Sequence, residues 1–133
     1  MNYEPVYKTL ETKLAALVPN ASVRLPNRQP AKPTDLDIDV TVSEIDNTIF
    51  TEEENKRDLS INLLLSVPVS SGTERIHNIA SKLVAAFNPL KKGSFWTSGR
   101  EYFVRIRSAG QRQANISGNP YQINVRILAI IYT

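Results

Sequence analysis

Residues 58–67 read DLSINLLLSV and residues 35–43 read DLDIDVTVS. In the first stretch Leu59, Ile61, Leu63, Leu65 and Val67 fall on every second position, with Ser60, Asn62 and Ser66 between them. In the second, Leu36, Ile38, Val40 and Val42 alternate with Asp35, Asp37, Asp39 and Thr41. Successive side chains of a strand point to opposite faces, so a period of two means one buried face and one wet face. The two runs predict a pair of half-buried strands joined as a hairpin. Their connection, residues 44–57, is too long for a tight turn and carries Ile49 and Phe50 beside acids. It is expected to project as an arm with an apolar tip.

Working outward, the period changes. Tyr3, Tyr7, Leu10, Leu14 and Leu17 recur at spacings of four and three, which predicts a helix over residues 4–17 that Pro19 and Asn20 stop. A short strand at residues 22–25 and an extended, basic, proline-bearing connector through residue 33 follow. After the hairpin, Ser71 and Glu74 form a capping-box pattern ahead of a helix whose apolar face is Ile76, Ile79, Ala80, Leu83, Val84 and Phe87. Asn88 and Pro89 end it, and residues 91–93 read as a turn. Residues 95–97 read as a short strand, and Tyr102, Val104 and Ile106 alternate with Phe103, Arg105 and Arg107 in another. Residues 108–120, rich in Gly, Gln, Asn and Ser, read as a loop before a last strand at 121–132. That strand turns wholly apolar at 127–131, as a strand does when both faces are covered. The order helix, strands, helix, strands predicts one α+β domain over residues 1–133, two-layered, with two helices on a mainly antiparallel or mixed sheet.

A chain of 133 residues that is 41% hydrophobic and 22% charged suits one packed core rather than a disordered or fibrous chain. No apolar run approaches the length of a bilayer span, and the first ten residues lack the pattern of a secretory signal, so no membrane partner is expected. With no cysteine there is no disulfide, thiolate metal site or thiol nucleophile. The formal charge of +3 hides an uneven distribution. Residues 34–54 hold eight acids and no Lys or Arg, whereas residues 75–133 hold nine bases and the single acid Glu101. If folding separates these segments, copies attract one another head to tail, the contact that closes into rings.

Few residues suggest chemistry. His77 is the one histidine, on the polar side of the second helix with no nucleophile or carboxylate near it in sequence, which reads as a surface residue. Asp35, Asp37 and Asp39 share a strand face and resemble a divalent-cation set, but the alternation already explains them as the wet side of a strand. They read better as an electronegative surface that DNA slides past or a basic partner meets. Arg105, Arg107 and Arg126, with Gln122 and Asn124, make a basic polar patch if the last two strands pair. No catalytic, metal or cofactor site is expected, and Asn115-Ile116-Ser117 is a chance match to a glycosylation sequon.

The order of elements resembles the tail terminators of long-tailed bacteriophages and related tail-completion proteins. The resemblance is carried by the first helix ending in Leu17, the proline-bearing connector and the long hairpin. It continues through Leu63 to Pro68 and Gly72, the second helix with Ile79, Ala80, Leu83 and Phe87, and the last strand ending in Ile131 and Tyr132. It covers nearly the whole chain as a pattern of elements rather than as a motif. It implies a non-enzymatic virion protein, assembled in the host cytoplasm and placed at the head-proximal end of the tail. There it forms a homo-hexameric ring on the tail tube protein, ends tube growth and offers a surface to a head-completion or neck protein. DNA passes through the lumen without specific binding. On this reading Asp35, Asp37 and Asp39 face the lumen, while Ile49, Phe50, Arg105, Arg107, Arg112 and Arg126 are interface residues. This chain differs in having only Tyr121 as an aromatic near the start of the last strand and in its 108–120 segment. Two rivals remain: another head-tail joining protein, and a small nucleic-acid-binding domain built on Arg105, Arg107 and Arg126.

Overall fold

A computed structural model describes residues 3–26, 36–49, 55–68, 72–88, 95–98, 102–115 and 121–132. These form α1 (Glu4–Leu17), β1 (Ser22–Arg24), β2 (Asp37–Ile49), β3 (Asn55–Val67), α2 (Thr73–Ala86), β4 (Phe95–Ser98), β5 (Tyr102–Asn115) and β6 (Tyr121–Tyr132). The strands make one six-stranded sheet in the order β1-β2-β3-β6-β5-β4. β1 runs parallel to β2, and the other pairings are antiparallel, so the sheet is mixed. Two helices on a mixed sheet give the α+β architecture that the sequence predicts.

Alternation decides which face the helices cover. Ile38, Val40, Leu59, Ile61, Leu63, Leu65, Ile123, Val125 and Ile127 join one buried cluster with Leu10, Leu14, Ile76, Ala80 and Leu83 of the helices. Each such Val, Leu or Ile side chain contributes on the order of 1.5–3 kcal/mol by leaving water. The residues between them lie on the opposite face, which no helix among the described residues covers. In α1 the stripe differs slightly from expectation: Val6 is fully buried, while Tyr3, Tyr7 and Leu17 flank the core. Pro5 is tolerated in the first turn, where its missing N–H has no partner to lose. At the other end, the Val18 N–H donates to Leu14 O and Lys82 Nζ of α2 donates to Leu17 O at 2.6 Å, tying the helices together.

Three expectations need correction. Residues 44–49 and 55–57 are strand, not a projecting arm: Asp46, Asn47, Thr48 and Ile49 pair with Asp58, Arg57, Lys56 and Asn55 across a bulge at Glu44/Asp46. Residues 108–115 are strand, not loop, because β5 pairs along β6 as far as Asn115, with bulges at Ile106/Ser108 and Arg112/Asn115. Arg112 therefore sits on a strand. The residue that caps α2 is Gly72, at φ 79° and ψ 163°, with no side-chain cap bond. Ser71, the expected turn at 91–93 and residues 116–120 lie outside the described residues, as do Asp35 and Phe50.

Candidate functional site

The uncovered sheet face is the surface on which most of the singled-out residues meet. Its centre, where β3 pairs with β6, is a band of polar groups bonded to one another. Asn124 Nδ2 donates to Asn62 Oδ1 at 3.2 Å, Gln122 Nε2 to Ser66 Oγ at 3.3 Å, and Arg126 Nε to Ser60 Oγ at 3.2 Å. Register explains this: Asn62 lies opposite Arg126, Leu64 opposite Asn124 and Ser66 opposite Gln122, and in-register side chains of paired strands share a face. Ser60 is 5% exposed beneath the arginine.

On one flank, β2 presents Asp37 and Asp39. Neither is an isolated carboxylate: Arg24 of β1 lies 3.5 Å from Asp37 and 4.0 Å from Asp39. The pairing follows from the parallel β1–β2 register, in which Ser22 faces Asp37 and Arg24 faces Asp39. The open acidic surface expected from Asp37 and Asp39 is thus partly neutralised from within. Among the described residues no group of three or more His, Cys, Asp or Glu is arranged to hold a metal ion.

On the other flank, β5 presents Arg105, Arg107 and Arg112. Arg107, which follows the buried Ile106 and is left without a partner by the bulge at Ile106/Ser108, lies on the uncovered face 3.7 Å from Asp58. Arg105 stands opposite Ile130 and Arg112 opposite Asn124. Since β5 and β6 do pair, Arg105, Arg107 and Arg126 share a face. Arg126, however, is four positions along β6 from Ile130, about 13 Å at the rise of a strand, and it is engaged by Ser60. The result is a line of bases along β5 rather than one compact anion pocket.

The rows of the sheet bring the two flanks into relation. Asp39, Leu64, Asn124 and Arg112 form one transverse row, with acid on β2 and base on β5 separated by three strand spacings, about 14 Å. β2 carries Asp37, Asp39, Glu44 and Asp46 and no base, whereas β5 carries three arginines and no acid.

The sequence reading placed an apolar contact at Ile49 and Phe50. Ile49 is the last residue of β2, opposite Asn55. The exposed large hydrophobic residue among those described is Ile45, at 55%, in the β2 bulge. Its signal was in the sequence: Ile45 falls one position out of phase with Val40 and Val42, as an inserted residue does. A separate groove of about 580 Å³ lies between the end of α1 and α2, lined by Leu17, Val18, Leu36, Glu74, Ile79 and Lys82, with no nucleophile and base set together. His77 lies half-buried on α2.

No protein-family model matches this chain. No curated protein matches it either. Seven chains of solved structures do match. One of them covers 98% of this chain over 96% of its own length, with a TM-score of 0.62 and 14% sequence identity. At that identity the likeness is one of fold, with the same architecture running through both chains from end to end.

Proposed function

We propose that this chain is a structural assembly protein, a tail terminator. Copies of it form a ring on the end of a bacteriophage tail tube, stop tube polymerisation and offer the surface to which the head attaches. The observation that carries this reading is the charge layout of the sheet, acidic along β2 near one edge and basic along β5 near the other. A heterologous contact joins unlike patches of identical subunits, and a subunit with opposite charges on opposite flanks is complementary to its own copy. The element order that resembles the terminator family agrees with it. In such a ring the face bearing Asp37 and Asp39, tempered by Arg24, suits a wall past which DNA slides without adhering.

The experiment is electron microscopy of particles from the parent phage or prophage with this reading frame disrupted. Overlong, headless tail tubes beside normal heads are the expected result. Tails of normal length overturn the reading, and point to a neck protein if they remain unjoined to heads.

A further inference from the structure

Both long flanking strands of the sheet outrun the short strands that cover them. β1 pairs with residues 37–39 of β2, and β4 pairs with residues 102–105 of β5. Beyond those positions each long strand has one strand neighbour among the described residues, β3 for β2 and β6 for β5. An uncovered edge is a template for another strand, and proteins that stay monomeric usually blunt it.

Two regular windows remain between the bulges, residues 40–43 on β2 and residues 108–111 on β5. They occupy the same rows of the sheet: Thr41, Asn62, Arg126 and Gly110 form one, and Ser43, Ser60, Leu128 and Ser108 another. β2 and β5 run in opposite directions, since three antiparallel pairings separate them. A rotation about an axis along the strands therefore sets β2 of one copy antiparallel to β5 of the next, row against row. The bulges at Glu44/Asp46 and Arg112/Asn115 close the windows where β4 and β1 need room. Charge favours the same match, acidic strand against basic strand, over either strand against its own kind.

We propose that copies of this chain join by strand addition, residues 40–43 of one subunit pairing antiparallel with residues 108–111 of the next, Ser43 opposite Ser108, so that the sheets run on from subunit to subunit. This deepens the ring reading above and rests on it. The edge is held meanwhile by α1: the Val42 N–H donates to Tyr7 Oη at 3.0 Å. The tyrosine hydroxyl stands in for the carbonyl that a neighbouring strand supplies, and gives way when the strands pair.

The chain has no cysteine, which makes cross-linking clean. Ser43 and Ser108 are both exposed, and the proposed register sets them opposite each other, within reach of a disulfide. Mild oxidation of a mixture of S43C and S108C full-length chains at several hundred micromolar is expected to give a mixed dimer, and the double variant a ladder of higher oligomers. Arg112→Asp in the S108C chain is expected to remove most of the mixed band. Tyr7→Phe in the S43C chain is expected to strengthen it, because the competing acceptor is gone. Absence of the mixed band, or bands only between like variants, overturns the proposal; a weaker band with Tyr7→Phe overturns the displacement of the tyrosine. The phage experiment fails separately: normal-length tails beside a positive cross-link leave the strand pairing standing and remove the tail reading.

Discussion

The backbone N–H of Val42 on β2 donates to the hydroxyl of Tyr7 on α1 at 3.0 Å, so a helix side chain closes part of a sheet edge. Leu36 O accepts from Ser22 N on the β1 side, and alternate residues of an antiparallel strand turn their backbone groups to the same side. Val42 therefore points its N–H away from β3, where a second strand belongs. In Tyr7→Phe the phenyl ring stays and the acceptor is lost, leaving a partly buried donor unmet. The expected cost is about 1–2 kcal/mol in urea unfolding, with faster hydrogen exchange at the Val42 amide than at its ladder neighbours.

The three leucines at 63–65 test the two-layer architecture. Leu63 and Leu65 are fully buried under the helices, while Leu64, between them, lies half-buried on the uncovered face opposite Asn124. Leu63→Ala leaves a cavity in a packed interior and is expected to cost about 2–5 kcal/mol. Leu64→Ala loses part of a solvated contact and is expected to cost under about 1 kcal/mol. Equal losses in chemical denaturation would mean that both sheet faces are packed in the isolated subunit.

What could be read in advance followed from locality. The bounds of α1 and β6 match the sequence reading, since one is a 3.6-period stripe ended by Pro19 and the other a run of β-formers. β5 was half missed because residues 108–115 have the composition of a loop. They are strand because an apolar partner, β6, lies beside them, and their polarity reflects an open face and an open edge rather than a turn. The same blindness hid Arg24. Its ion pairs with Asp37 and Asp39 depend on a parallel pairing across the connector, which no local pattern encodes. Arg105, Arg107 and Arg126 lie on paired strands as their alternation predicts, but the bulge at Arg107 and its nearness to Asp58 are properties of register and not of composition.

Tyr3 supplies a pH signature. Its hydroxyl donates to Glu44 Oε2 at 3.0 Å, and Arg57 binds the same oxygen at 3.1 Å. Burial first, then the hydrogen bond and negative charge of Glu44, raise the phenol above its ordinary value of 10.0, while Arg57 pulls the other way. For an acid whose folded pKa is raised, the unfolded chain releases its proton first. The associated stability is present below pH 10 and is lost as the pH climbs through the folded pKa. Tyr3→Phe is expected to remove a component of the ultraviolet phenolate titration that lies above the ordinary value and to flatten the alkaline limb of stability. An unchanged titration in the variant would show that another of the five tyrosines carries that component.

Two glycines separate backbone strain from space. Gly72, ahead of α2, sits at φ 79° and ψ 163°, a region that side-chain-bearing residues avoid, although a Cβ there would meet no atom within 4 Å. Gly72→Ala is therefore expected to cost about 1–3 kcal/mol through the backbone alone. Gly110 on β5 has the same free space without the left-handed φ. Gly110→Ala is expected to be neutral or to stabilise by up to about 1 kcal/mol, because it narrows the unfolded ensemble and adds β-propensity. Paired thermal melts check both. A stable Gly72→Ala chain would mean that the entry to α2 relaxes into an ordinary cap, and a destabilised Gly110→Ala chain would mean that β5 needs its backbone bare for a close approach.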